Sequence, residues 1–443
     1  MVGAHMIAFF LMLLPILAYA YSNVRSGQDF IMLPSLVAVF FVTWLMPQLL
    51  FVQEQEQDIF FATTVYGLFG ATCFIALSKG FRMGVRRRPR FSQVLELSTL
   101  SVLLWSAISL FLNLQYLTAF EANREVSQWS GSGTIIAFFA SIRLVVFPLS
   151  AIAFFRNPNL VLGAIFVANL YIMLQVSFGE LRRTDIISFI LVLLLVYYFV
   201  RRRLPPLSFF AFALPITIII VFSISELRNI RGTFLEEGRT MIEIIFSGIL
   251  RDIDFGSAVV GSFSFAPDVR NGSYIIAYCL HTLDFRFGAE LWNDLVWQYV
   301  PAQLVGASTK ASWIIGERVS IYGDLNSYFN YFRSPGSTRT GIGSAFLDFG
   351  PMGFIYFFVI GWISGRVFSR AASGDLIAQT FYIALLTPVL ISFTHSHTYF
   401  FTILPLLLTV AIGLRITQRF VFRRTKAHQG PVFHGQRQGR TAR

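Results

Sequence analysis

Long apolar runs with few charges recur along most of this chain, and each is close to the ~20 residues needed to cross ~30 Å of hydrocarbon as a helix. They are Met6 to Ala20, Phe30 to Val52, Ile59 to Ser78, Leu95 to Leu117, Thr134 to Phe155, Leu160 to Phe178, Ile186 to Val200, Leu207 to Ser225, Ile342 to Ser364, Leu376 to Thr394 and Thr398 to Ile416. A chain of 443 residues with 55% hydrophobic and only 13% charged residues cannot bury that much apolar surface in a soluble core. The expected class is therefore an all-α polytopic integral membrane protein with about 11 transmembrane helices. No internal repeat stands out.

Charge sets the expected orientation. One alternating set of loops, with the tail, holds 21 Lys and Arg, whereas the other short loops hold three, Arg124, Arg182 and Arg183. The positive-inside rule puts the first set in the cytoplasm, the N-terminus outside and the C-terminus inside. Residues 1–225 then hold spans one to eight, and 226–341 form a large loop on the outer side. Residues 342–416 hold the last three spans, and 417–443 form a basic cytoplasmic tail read as disordered. The first run ends in Ala18-Tyr19-Ala20, like a signal-peptide cleavage site, but no Lys or Arg precedes it and cleavage would invert every later span. It is read as a transmembrane helix. Cys73 lies mid-helix and Cys279 in the polar loop, so no disulfide framework is expected.

The outer loop carries ten Lys and Arg against twelve Asp and Glu between Glu226 and Thr340, which makes it the expected place for chemistry. Arg182 and Arg183 violate the charge bias, and adjacent guanidinium groups offer planar, bidentate donors for phosphate oxygens. The alternative is interfacial snorkelling with pairing to Glu180 or Asp185. Arg143 sits nine residues past Thr134, ~13 Å along a helix. An intramembrane Arg is a functional candidate, unless it ties a carbonyl loosened by Pro148. Arg228 and Arg231 share one helical face where the chain leaves the bilayer. Met241 to Leu250 (ending in Arg251-Asp252), Tyr274 to Leu283 and Leu291 to Val300 are amphipathic and expected as short helices on the membrane surface. Trp292, Trp297, Tyr299, Tyr322, Tyr328 and Tyr331 are packing residues or platforms for sugar rings. His395 and His397 read as an interfacial turn.

The motifs of phosphate-binding loops, zinc proteases and serine hydrolases are absent, as is any Cys/His metal spacing. Glu54-x-Glu56-x-Asp58 is similar to the acidic metal-binding motifs of some membrane glycosyltransferases, but a solvated turn is the expected reading. No metal site, other cofactor or nucleic-acid partner is expected.

Four stretches in order carry a family likeness: Gly179-Glu-Leu-Arg-Arg-Thr-Asp-Ile-Ile, Leu227-Arg-Asn-Ile-Arg-Gly, Leu283-Asp-Phe-Arg-Phe-Gly running on to Tyr299-Val-Pro301, and Ser334 to Gly353 entering a glycine-dotted span. Together they resemble Wzy-type oligosaccharide repeat-unit polymerases, including O-antigen and common-antigen polymerases. The likeness covers most of residues 95 to 416 in layout, and Arg339 and Gly350, with ten residues between them, fit an R-x10-G pattern of some members.

The resemblance implies a bacterial inner-membrane enzyme of GT-C-like fold with a periplasmic site. It would move a growing glycan from undecaprenyl pyrophosphate to the next lipid-linked unit, with arginines in place of a metal cation. It implies catalytic roles for Arg183 and Arg228, with Asp185, Asp252, His281 and Asp284 all open as the base. Arg143, Arg182, Arg231, Arg251, Asp284 and Arg339 are expected to bind substrate. The implied partners are the lipid-linked donor and acceptor, the bilayer, a chain-length regulator and a flippase. An O-antigen ligase shares this architecture, although the Leu-Asp-Phe-Gly approach to span nine favours the polymerase. A flippase would be expected to show repeats and broken helices, neither of which is visible in the sequence.

Overall fold

A computed structural model of the chain describes residues 3–26, 32–50, 59–85, 98–122, 132–179, 183–206, 208–209, 256, 267–300, 302–316, 321–333 and 337–428. Among these residues every regular element is a helix, the outcome expected where lipid leaves backbone groups no water to bond. In the first half α1 is Ala4–Ser26, α2 Leu33–Phe40, α3 Met46–Leu50, α4 Phe60–Gly84, α5 Thr99–Ala122, α6 Ser132–Ala140, α7 Arg143–Arg156, α8 Leu160–Gly179 and α9 Arg183–Arg201. The second half has α10 at Pro267–Thr282, α11 at Ala289–Tyr299, α12 at Ala302–Val305, α13 at Ala307–Ser312, α14 at Ile321–Phe329, α15 at Gly341–Phe349, α16 at Phe354–Ala372, α17 at Leu376–Thr394 and α18 at Tyr399–His428.

Nine stretches among the described residues are long and apolar enough to cross a membrane, and each coincides with one of the runs read from the sequence. The chain is thus a helical, multi-pass membrane protein by length and composition. The seventh run is the 19-residue helix α9, ~28 Å long. The eighth, Leu207 to Ser225, lies almost wholly outside the described residues.

Buried area identifies the centre of the bundle. In α17, 94% of the spanning window is buried, against 28% in α1. A helix apolar on every side belongs in the interior, and α7, α9, α15, α16 and α18 pack around α17. Among the described residues the most extensive helix packing is that of α4 on α16, joined through Gly80-x-x-x-Gly84 and Gly361-x-x-x-Gly365. A Cβ on Gly80 would lie 2.1 Å from the Phe358 carbonyl oxygen, and one on Gly361 would lie 2.1 Å from that of Leu77. Glycine lets the two backbones touch, the usual route to helix association where lipid removes the hydrophobic driving force. Gly361→Val is therefore expected to push α16 off α4 and cost at least ~1–3 kcal/mol. A loss of monodisperse protein on size exclusion in detergent, with a lowered melting temperature, checks it.

Two expected spans are interrupted. In span five the ladder tightens at Ser141 and Ile142, whose N–H groups bond the Phe138 and Phe139 carbonyls. The carbonyl left over is that of Ala140, and it is taken by Asn113 Nδ2 at 3.1 Å. Arg143 instead contacts Asn113 Oδ1 at 3.4 Å and lies over the Tyr116 ring at 5.4 Å. The alternative reading of Arg143, a tie to a carbonyl loosened by Pro148, thus gives way to a side-chain seam joining α7 to α5. In span nine α15 stops at Gly350, whose φ of +54° suits glycine, and Pro351 follows without an N–H. The chain restarts as α16.

The amphipathic stretch from Tyr274 is also corrected. It belongs to α10, which is buried from Asp268 to Cys279, apart from Arg270, and packs on α4 and α15. Its polar residues meet protein groups, so it is an interior helix. Both cysteines are buried and free.

Candidate functional site

A connected polar core lies where α10, α11 and α15 meet the junction of α17 and α18. It begins with Asp268, 6% exposed, in the first turn of α10. A carboxylate placed there needs donors. Trp44 Nε1 at 3.1 Å and Gln48 Nε2 at 3.3 Å supply two of them. These residues flank the end of a π turn, Phe41–Leu45, between α2 and α3. Thr338 supplies its backbone N–H and its hydroxyl, both at 2.9 Å. Asn271 holds the same strand of chain through Ser337 Oγ at 2.9 Å and the Thr338 carbonyl at 2.6 Å, and its Oδ1 accepts from Tyr331 at 2.6 Å. Burial pushes the Tyr331 phenol up to about 12 against the opposing pull of Arg270, so it stays a donor at neutral pH. Tyr331 also stacks on Tyr274 at 3.9 Å. It is a packing residue, and the sugar-platform reading does not apply to it.

Segment 337–340, fixed in this way, delivers Arg339. Arg339 Nη1 meets Glu290 Oε1 at 2.7 Å, with the side chains 27% and 9% exposed. Burial opposes the guanidinium charge, but Glu290 and then Asp294 outweigh it, so its pKa lies above the ordinary arginine value. Glu290 stands in the first turn of α11, where the helix dipole favours an anion. Its second oxygen accepts from Ser344 Oγ at 2.9 Å.

From Ser344 the network runs inward. His397 Nδ1 lies 3.0 Å from Ser344 Oγ, and His397 Nε2 lies 3.0 Å from Asp348 Oδ2. Tyr356 donates to the same carboxylate oxygen at 3.1 Å, and its ring packs against the imidazole at 4.3 Å. Ser344, Asp348 and His397 are all 0% exposed. Ser344 and Asp348 are four apart on one face of α15, and Gly341 lets the start of α15 touch the α17 backbone at Ser392.

Although a serine, a histidine and a carboxylate are joined here, this is not a nucleophile arrangement. Ser344 gives its proton to Glu290, so it accepts from His397 Nδ1–H, the reverse of the polarity a hydrolytic triad requires. Closed off from solvent, the group can orient Glu290, and through it Arg339.

The loop between α10 and α11 lies across this group. Arg286 N–H bonds the Leu347 carbonyl at 3.0 Å and Phe287 N–H that of Asp348 at 2.7 Å. Leu283 and Phe287 adopt φ of +55° and +47° while their side chains are 72% and 73% exposed. Such geometry costs ~1–2 kcal/mol per residue and persists only where surrounding bonds impose it. The same loop touches Gly350, since a Cβ there would meet Phe285 at 3.0 Å. The two ends of the R-x10-G spacing therefore bracket α15: Arg339 precedes it and Gly350 ends it.

The other expected residues scatter. His281 and Asp284 come together, exposed, at the end of α10: the His281 ring packs on Phe329 at 6.0 Å, and Asp284 accepts from Tyr278 at 3.2 Å. Burial, then Asp324 and Asp284, pushes the Tyr278 phenol up to about 12. Beside them Arg286 faces Asp324 at 3.7 Å. Trp292, Trp297 and Tyr328 are 47%, 54% and 62% exposed. Asp185 lies in the first turn of α9, which Arg183 begins. Arg182, Arg228, Arg231, Arg251, Asp252 and the acidic turn Glu54 to Asp58 lie outside the described residues. Reading the sequence missed Asp268, Glu290, Ser344, Asp348 and His397. The visible signal was the Ser344, Asp348 pair at helical spacing in an otherwise apolar run.

Among the described residues no group of three or more His, Cys, Asp or Glu is placed to hold a metal. Compared with family models, curated proteins and solved structures, the chain matches none.

Proposed function

We propose that this protein polymerises undecaprenyl-pyrophosphate-linked oligosaccharide repeat units at the outer face of a bacterial inner membrane, as a GT-C-like glycosyltransferase. The observation that carries the reading is Arg339, partly exposed and held by a buried carboxylate network where membrane-spanning helices end. Glycosyl transfer from a lipid pyrophosphate builds negative charge on the leaving group. A guanidinium already fixed in place stabilises that charge without reorganising. Arg339 spends one N–H on Glu290 and keeps further donors for phosphate oxygens. Arg183, Arg228 and Arg231 share the charge, and Arg182 and Arg251 are further candidates for binding the substrate. His281 or Asp284, both exposed, receives the proton of the acceptor hydroxyl. The Ser344, His397 and Asp348 group is a positioning device, and Trp292, Trp297 and Tyr328 offer faces to sugar rings. Donor and acceptor are both lipid-linked glycans, supplied by a flippase and limited by a chain-length regulator.

The interrupted spans five and nine remove one objection to a flippase reading. In span nine, however, the break is packed with Asp348, Tyr356 and His397. In span five Asn113 closes it.

Orientation is tested by reporter fusions. Alkaline phosphatase joined near Gly272 is expected to be active and near Arg88 inactive, because 21 basic residues occupy the opposite set of loops. The reverse pattern would place Arg339 in the cytoplasm and end the proposal.

A further inference from the structure

At the other end of α16, α17 and α18 from His397 lies a cavity of about 560 Å³. Its floor is α17, and α16 and α18 form its walls. Leu385, Leu404 and Leu408 line the part toward the middle of the helices, while Arg366, Arg370 and Arg415 line the far end. It opens on the outside of the bundle, where Leu408 is 51% exposed.

Among the described residues no carboxylate lies within ion-pair distance of any of the three arginines. Asp375, close in sequence, instead caps α17 by accepting from the Ala378 N–H at 3.2 Å. Arg366 Nε is buried without a hydrogen-bond partner, and its guanidinium lies over the Trp362 ring at 5.0 Å. Arg366 and Arg370 are ~6 Å apart along the axis of α16, and Arg415 belongs to α18. Permanent charges with unused donors, at the end of an apolar groove beside lipid, complement one kind of molecule: an anionic phosphate carrying acyl chains.

The geometry points to a binding site for one anionic phospholipid between α16 and α18. Its phosphate meets Arg366, Arg370 and Arg415, and an acyl chain lies along the leucines. The site is separate from the Arg339 network and does not depend on the polymerase reading. When filled, it closes the gap between α16 and α18 and braces α16, whose other end carries Tyr356.

The test is native mass spectrometry of the full chain with phosphatidylglycerol and phosphatidylcholine of identical acyl chains. The wild-type protein is expected to retain one phosphatidylglycerol with at least about tenfold preference. Arg366→Ala, Arg370→Ala and Arg415→Ala combined should abolish the preference, and the matching Lys variants should keep most of it. Leu385→Trp with Leu408→Trp should exclude either lipid while leaving the arginines in place, so the proposal stays testable should the Ala variant fail to fold. Equal retention of the two lipids by wild type would overturn the site. So would a preference that survives the Ala or Trp changes, or one lost only on deleting 429–443, which would assign lipid binding to the basic tail. A groove closed by a second copy of the chain, seen as dimers without lipid, would overturn it as well.

Discussion

Asp348→Asn and His397→Ala are each expected to cost roughly 1–3 kcal/mol of stability, because each leaves a buried hydrogen-bonding group without its partner. Both side chains are fully buried, and the imidazole contacts Asp348 and Ser344 at 3.0 Å each. In His397→Ala the Asp348 carboxylate would keep Tyr356 as its one side-chain donor. In Asp348→Asn the carboxylate facing Nε2 is gone. The loss is read from thermal unfolding in detergent, and a double variant should lose less than the two singles summed. Wild-type stability with abolished activity in either single variant would make the pair catalytic instead. Wild-type behaviour in both respects would remove it from the site.

Arg339→Ala is expected to lower chain extension by at least ~100-fold, the scale for removing one preorganised donor from a developing oxyanion. Arg339→Lys should recover little of the rate, since an ammonium does not reproduce the planar fork. The single Ala variant also strands Glu290, which is 9% exposed. The double variant Arg339→Ala with Glu290→Gln separates the two effects: it should regain stability and stay inactive. Activity returning with stability would reduce Arg339 to a structural role.

The membrane spans were legible because hydrocarbon imposes one rule on every one of them, and that rule is written locally as length and apolarity. The interruptions were not. A hydropathy run averages over some twenty residues, so a single positive φ at Gly350 or a pair of tightened bonds at Ser141 and Ile142 leaves it unchanged. Reading α10 as a surface helix failed because its polar face was assigned to water. Its partners are Gln48, 220 residues from Asp268, and Ser337, 66 residues from Asn271. His397 does lie in a turn, but its buried role was not legible for the same reason, its partners lying 49 and 53 residues away. Arg339 was singled out in the sequence only by the spacing to Gly350, whereas Glu290, which holds it, carried no local mark beyond its place at a helix start.

That Arg339 belongs to a polymerising site is tested most directly by the purified protein in a bilayer, given undecaprenyl-pyrophosphate-linked repeat units as its only substrate. A ladder of extended chains is expected, persisting in excess EDTA and lost in Arg339→Ala at equal folded protein. No ladder from the wild type would contradict the activity. A ladder abolished by EDTA and restored by magnesium or manganese would contradict the arginine-based chemistry and return attention to Glu54, Glu56 and Asp58.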